Sequence, residues 1–237
     1  MAAAESAGGE RAGDEMANER EIKLRVEDLP ALRRALAKLG ALVVTPRLRE
    51  LNVVFDTPEF DLAKREHLLR IRTETAGASR GRTSGVGARA LLTFKRPVSV
   101  AGSNGKKERH KVREEIELEV SDEKALARIF EGLGMRGWFQ YEKFRTTFRL
   151  PASRAWAKGL VIELDETPIG IFLELEGPAG AIDQAAHALG FETKDYILAN
   201  YMVLYREHCR SRGEEPSDML FAKKRRGTGR PKSKNFS

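Results

Sequence analysis

Charge recurs at every second residue in several well-separated segments, and this periodicity limits the fold more than any other feature of the chain. In Glu19-Arg20-Glu21-Ile22-Lys23-Leu24-Arg25, alternate positions read acid, acid, base, base. Arg70-Ile71-Arg72-Thr73-Glu74, Thr93-Phe94-Lys95 and Lys143-Phe144-Arg145 behave alike, as do Val161-Ile162-Glu163-Leu164-Asp165 and Glu174-Leu175-Glu176. Lys111, Arg113, Glu115, Glu117 and Glu119 repeat the period, and Val112, Ile116, Leu118 and Val120 take most of the positions between. Strand side chains alternate between two faces, so each segment has one charged and one mostly apolar face. A single segment of this kind is the wet side of an open antiparallel sheet. Repetition with almost only Arg, Lys, Glu and Asp at the polar positions favours a closed cylinder with a charged lining.

The charges point to what such a lining holds. Several Arg and Lys around one cavity repel one another strongly at low effective dielectric, which calls for a multiply charged anion, and the two-pronged guanidinium suits phosphate oxygens. Clustered carboxylates are equally unfavourable unless a hard divalent cation binds them through oxygen. A polyphosphate with Mg²⁺ or Mn²⁺ satisfies both sets at once.

The order of these segments carries a resemblance. Glu19-x-Glu21-x-Lys23 is followed by Phe55-Asp56-Thr57-Pro58, Leu69-Arg70-Ile71-Arg72, Leu92-Thr93-Phe94-Lys95, Arg113-x-Glu115-x-Glu117 and Lys143-x-Arg145. Leu164-Asp165-Glu166 and Gly170-Ile171-Phe172-Leu173-Glu174-Leu175-Glu176-Gly177 complete it. The series resembles the CYTH superfamily, the triphosphate tunnel metalloenzymes, which include class IV adenylyl cyclases, thiamine triphosphatases and inorganic triphosphatases. The resemblance runs from about residue 19 to residue 205.

It implies an α+β fold: an eight-stranded antiparallel β-barrel open at both ends, with outer helices and a C-terminal helix able to stopper one mouth. By the same resemblance Glu19, Glu21, Glu174 and Glu176 hold Mg²⁺ or Mn²⁺, with Glu163 as an extra ligand. Lys23, Arg70, Arg72, Lys95, Arg113, Lys143 and Arg145 grip the triphosphate, and Lys194 adds a contact from the terminal helix. Glu115, Glu117 and Asp165 share the inward parity and are the candidates for a general base. The expected activity is a metal-dependent triphosphatase acting on tripolyphosphate, ATP or thiamine triphosphate. A class IV adenylyl cyclase and a non-catalytic polyphosphate-binding module are the alternatives, and homodimers are common in the family.

The helical signals fit that plan. Leu29 to Leu39 carries Leu29, Leu32, Leu36 and Leu39 at helical spacing before Gly40. Ala125 to Leu133, Ala181 to Leu189 and Asp195 to Cys209 are the other expected helices. Residues 1–18 read as a disordered segment, 19–210 as the tunnel domain and 211–237 as a disordered basic tail. Lys223, Lys224, Arg225, Arg226, Arg230, Lys232 and Lys234, with no acid among residues 223–237, account for the formal charge of +7. The rest of the chain is therefore neutral, and only this tail suggests electrostatic contact with nucleic acid.

The first eighteen residues have no apolar core of a signal peptide, and no run approaches the roughly 20 apolar residues of a membrane span. The lone Cys209 excludes an internal disulfide and fits a reducing cytoplasm. His67, His110, His187 and His208 lack metal-ligand spacing, and neither a nucleophile motif nor a phosphate-binding glycine loop is present. Residues 76–87 and 101–107, rich in Gly and Ser, read as mobile hairpin connections.

Overall fold

A computed structural model describes residues 18–76, 88–98 and 109–222. The two Gly/Ser-rich connections, apart from Ala76, the first seventeen residues and the basic tail from 223 onward lie outside the described residues.

Eight strands close into one antiparallel barrel: β1 (Asn18–Val26), β2 (Leu42–Asp56), β3 (Leu68–Ala76), β4 (Arg89–Pro97), β5 (Lys111–Val120), β6 (Arg136–Arg149), β7 (Val161–Thr167) and β8 (Gly170–Glu176). Their order around the cylinder is β1-β5-β4-β3-β2-β6-β7-β8, with β8 pairing back to β1. Closure leaves no long unpaired edge, and the period-two pattern then divides every strand into an inward and an outward set.

Outside, α1 (Leu29–Leu39) and α4 (Ala179–Ala188) cover the β7-β8-β1 wall. The α1 helix starts where Asp28 accepts a 2.8 Å bond from the Ala31 amide, with Pro30 in its first turn. It ends at Gly40, whose φ of 74° is left-handed. Leu32 and Leu36 meet Ile22, Leu24, Leu173, Leu175, Ile162 and Leu164 in the main apolar core, joined by Ile182, Ala185 and Ala186 of α4. The α3 helix (Glu123–Gly132), capped by Asp122, sets Phe130 against Phe55, Leu69 and Ile71. The short α2 (Asp61–Lys64) follows the Phe55-Asp56-Thr57-Pro58 turn, and the Asp56 carboxylate holds it by accepting from the Leu62 and Ala63 amides at 2.9 Å.

The C-terminal region departs from expectation in two places. The helix expected over Asp195 to Cys209 is split: Thr193–Asp195 forms a single 3₁₀ turn, residues 196–200 are extended, and α5 runs Tyr201–Arg212. The break occurs because Ile197 exchanges two backbone bonds with Lys23, at 3.0 and 2.8 Å, and Asn200 then caps α5 through the Val203 amide.

The chain also does not become a loose tail at residue 211. Met219 is 1% exposed and lies along β6, accepting from the Glu142 amide and donating to the Gln140 carbonyl, both at 2.9 Å. Phe221 packs against Phe144 at a tilt, its ring centroid 5.2 Å away. This strap fills a length of β6 that β7, pairing only from Phe144 onward, leaves free.

Candidate active site

The inward set of side chains encloses a cavity of about 950 Å³. Glu19, Glu21 and Lys23 of β1 line it, with Arg70 and Arg72 of β3, Lys95 of β4, and Lys111, Arg113, Glu115 and Glu117 of β5. Lys143 and Arg145 of β6, Glu163 of β7, and Glu174 and Glu176 of β8 complete the charged lining, while Leu198 to Val203 cover one end. The two signs are unevenly divided. Three adjacent strands, β7, β8 and β1, present Glu163, Asp165, Glu174, Glu176, Glu19 and Glu21 with Lys23 as the base in the lining, while Arg25, of the same parity on β1, is exposed and lies over the Phe172 ring. Most bases stand on the remaining strands.

Where the signs meet they pair. Lys23 Nζ lies 3.2 Å from Glu21 and 3.5 Å from Glu174. Burial works against its charge, yet those two carboxylates hold its pKa above the ordinary lysine range. Burial likewise penalises the Glu21 carboxylate, but Lys23, Lys95 and Lys111 outweigh it and depress its pKa. Arg145 is the hub: it bonds to Asp165 at 2.7 and 2.6 Å and to Glu174 at 2.9 Å, and pairs with Glu163. Lys95 pairs with Glu19 at 2.5 Å and with Glu115 at 3.1 Å, and Arg72 with Glu117 at 3.3 Å and Glu74 at 3.4 Å.

Some charges are left over. Burial, with the nearby charges of Glu19 and Glu163, pushes the Glu176 carboxyl up to about 8. Burial, with Glu174 and Asp165 beside it, raises Glu163 to about 7 despite Arg145. Glu19 is raised by burial too. Glu19 and Glu163 are raised although Lys95 and Arg145 pair with them, and Glu176 has no ion-pair partner among the described residues. On the opposite wall Arg70 is 6% exposed; among the described residues it is bonded by Tyr141 Oη at 2.9 Å and Thr93 Oγ1 at 3.1 Å, and its buried Nε has no partner. Burial works against its charge, yet Tyr141, Glu50 and Glu115 hold its pKa above the ordinary arginine range. Burial and the like charges of Lys23 and Arg113 press Lys111 down to about 8 in spite of Glu21.

The acidic wall offers only oxygen donors, the set that a hard divalent cation requires. Glu21 and Glu176 are register partners on adjacent strands, as are Glu163 and Glu174, so the donors are brought together by pairing. Among the described residues no three of them close on one point as a finished cage; Lys95 and Arg145 hold several of these carboxylates instead. The donor chemistry fits a cation, and the excess proton affinity of Glu163 and Glu176 marks where its charge would be felt.

Two expected site residues are not in the tunnel lining. Lys194 is exposed beside Glu192, 3.0 Å away on the surface, because the 3₁₀ turn ends before the chain reaches the barrel mouth. Asp165 has the inward parity but is fully buried, bonded by Lys143 at 2.9 Å, by Arg145 and by the Tyr201 hydroxyl at 2.7 Å. It anchors cations and faces no open space, so it is unsuited to act as a base.

Four contributors were not among the expected residues. Glu50 of β2 is 1% exposed and stands 3.4 to 3.8 Å from Lys143, Arg145 and Arg72, which overcome its burial and depress its pKa. Lys111 stands in the period-two row of β5 although no role was assigned to it, and Tyr141 follows from extending the alternation of Lys143 by one step. Tyr201, raised well above the ordinary tyrosine range by burial and by Asp165, comes from the helix that covers the mouth and has no strand-period signal.

The CYTH domain model matches residues 17–198, most of the chain and all eight strands. The chain belongs to the CYTH domain family. A Methanocaldococcus jannaschii protein provisionally named an adenylate cyclase is 25% identical over 183 residues, 77% of this chain and 84% of the relative. Among solved structures, a Vibrio parahaemolyticus protein, also provisionally named an adenylate cyclase, superposes with a TM-score of 0.60 at 16% identity, over 77% of this chain and 94% of its own. A Pyrococcus horikoshii protein gives a TM-score of 0.59 at 19% identity, over 81% and 98%. At those identities the structures establish the shared barrel. No helix among the described residues is long and apolar enough to cross a membrane.

Proposed function

We propose that this CYTH protein is a divalent-metal-dependent triphosphatase that hydrolyses an inorganic or organic triphosphate inside the barrel. One observation carries the reading: a single cavity holds a wall of carboxylates, of which Glu176 has no ion-pair partner among the described residues, and a buried guanidinium, Arg70, whose Nε is unpartnered and which no carboxylate contacts among those residues. A metal triphosphate supplies both deficits.

In this reading Glu19, Glu21, Glu163, Glu174 and Glu176 hold Mg²⁺ or Mn²⁺. The bound ion neutralises phosphate charge and lowers the pKa of water. Arg70, Arg72, Lys95, Arg113, Lys143 and Arg145 grip the phosphate oxygens, and Lys23, set between Glu21 and Glu174 within the acidic wall, joins them. These fixed cations stabilise the negative charge that shifts toward the leaving group, commonly the largest electrostatic contribution to such transfers. Water attacks the terminal phosphorus, a new P–O bond forms as the bridging P–O bond breaks, and the shortened phosphate leaves. Glu117, bonded to Thr93 at 3.1 Å and the more exposed of the two inward carboxylates of β5, takes the water proton, and Glu115 keeps Lys95 in place.

The test is a product assay with Mg²⁺ or Mn²⁺ and, separately, tripolyphosphate, ATP and thiamine triphosphate. Orthophosphate release that Glu174→Gln abolishes is the expected result. Binding without turnover in the wild type would make the barrel a polyphosphate-binding module instead. The provisional name of the M. jannaschii relative favours a second reading, attack of the ribose 3′-hydroxyl on the α-phosphorus of ATP. Cyclic AMP with pyrophosphate would establish that reading and overturn the first.

A further inference from the structure

The strap that follows α5 is clasped to β6 on one side and to α5 on the other. Met219 donates to the Gln140 carbonyl and accepts from the Glu142 amide, both at 2.9 Å. The Asp218 carboxylate accepts from the Gln140 amide at 2.8 Å, and the Glu142 carboxylate accepts from the Phe221 amide at 3.0 Å. From α5 the Tyr205 hydroxyl donates to the Asp218 carbonyl at 3.3 Å.

These contacts centre on one residue of the tunnel lining. Gln140 and Glu142 flank Tyr141, and Met219 is its bridge partner, so the strap fixes the peptides on both sides of Tyr141. The hydroxyl of Tyr141 accepts from Arg70 at 2.9 Å. The Met219 side chain is buried in the apolar cluster that contains Tyr141 and Tyr201, whose hydroxyls bond Arg70 and Asp165. Asp165 in turn anchors Lys143 and Arg145.

Stability alone gives the strap little reason to be ordered. Glu214 to Asp218 and Leu220 are exposed, and burying Met219 with part of Phe221 offsets little of the entropy lost in fixing the whole segment. Positioning accounts for it better. A guanidinium that meets phosphate oxygens needs its own neighbours locked, and β7 does not reach the length of β6 that carries Tyr141.

We propose that the strap belongs to the phosphate grip: Met219, clamping β6 on either side of Tyr141, is a positioning residue that sets the Tyr141 hydroxyl and through it the Arg70 guanidinium. Met219 is not part of the tunnel lining and acts only through Tyr141. The inference rests on the triphosphatase reading, in which Arg70 meets the phosphates.

The test is a double-mutant cycle on the full chain, read by calorimetric titration of tripolyphosphate with Mg²⁺. Met219→Ala is expected to weaken binding about tenfold, the lower end of what one hydrogen bond to a charged group is worth. Met219→Leu, which keeps the apolar volume, is expected to restore affinity to within about twofold. In a Tyr141→Phe background, which lacks the hydroxyl, Met219→Ala should add less than about twofold, because residues acting through one another are not additive. Leu36→Ala, a truncation in the core under α1, should lower the urea midpoint and leave affinity unchanged, which separates lost stability from lost positioning. Asp218→Ala removes one clasp at an exposed site without opening a cavity; it should weaken binding in the wild-type background and not in Tyr141→Phe, and it decides the matter if Met219→Ala does not fold. Equal losses in the two backgrounds, or wild-type affinity in the strap variants, would overturn the inference. Failure of tripolyphosphate to bind the wild type at all would instead sink the triphosphatase reading.

Discussion

The two faces of the β7-β8-β1 wall are made by the same residues in alternation, and both contain deeply buried side chains. Ile22, Leu24, Ile162, Leu173 and Leu175 on the outer face are fully buried, as on the inner face Glu21, Lys23 and Glu174 are at 7%, 4% and 7% exposure. The outer face stabilises the protein at roughly 1.5–3 kcal/mol per large apolar side chain. The inner face must overcome the desolvation of every charge, and buried ion pairs often repay no more than that cost. Equal burial therefore means opposite things on the two faces: one holds the barrel together, and the other is retained for what it binds.

Substitutions can break this contrast, and their effects on stability differ in size. The largest belongs to Arg145→Ala, which strands Glu163 and takes one cationic partner each from Asp165 and Glu174. Removing one partner of a buried charge cluster costs about 3–5 kcal/mol, so its urea midpoint should fall farthest, and turnover should be lost with it. Leu173→Ala, on the outer face, should cost about 2–5 kcal/mol through the cavity it leaves. Its folded fraction should nevertheless bind tripolyphosphate with wild-type affinity in calorimetry, whereas an affinity loss would show that the faces are not separable.

A smaller effect concerns pH in metal-free protein. Glu163 and Glu176 hold their protons more tightly folded, at about 7 and 8, than at their ordinary value of 4.5. Folded protein then binds more protons than unfolded between those limits, and stability must fall as pH rises. Melting temperature should drop from pH 5 to pH 8 without metal, and added Mg²⁺ should flatten the decline; a rise over that window would contradict the assignment. Arg70→Ala should disturb stability least, by about 1 kcal/mol for its lost hydrogen bonds, because no carboxylate pairs with it among the described residues. It should still lower turnover by about 10²-fold or more, as loss of a preorganised transition-state donor does.

The contrast between the faces also explains what could be read beforehand. Period-two charge identified the inward residues wherever both signs alternate with apolar neighbours, and so brought Glu19, Glu21, Arg72 and Glu176 to one cavity from three strands. It missed Glu50, because Leu48, Leu51, Val53 and Val54 around it follow no clean alternation and β2 carries register shifts. Parity also could not tell an open position from a filled one. Asp165 points inward, but its oxygens are consumed by Lys143, Arg145 and Tyr201. Lys194 was misplaced for a different reason: helical periodicity gave no hint that Ile197 would pair with Lys23 and interrupt the helix. The strap at Met219 carries too few apolar residues for any pattern, and its burial depends on an edge of β6 that only the closed barrel defines.

The central claim is that opposite charges are gathered in the barrel to hold a phosphate chain together with a cation. Calorimetric titration of tripolyphosphate into the wild-type protein, with and without Mg²⁺, tests it most directly. Saturable one-to-one binding that tightens at least tenfold with Mg²⁺ and disappears in Arg70→Ala is the predicted result. No binding, or binding indifferent to both Mg²⁺ and Arg70, would contradict it.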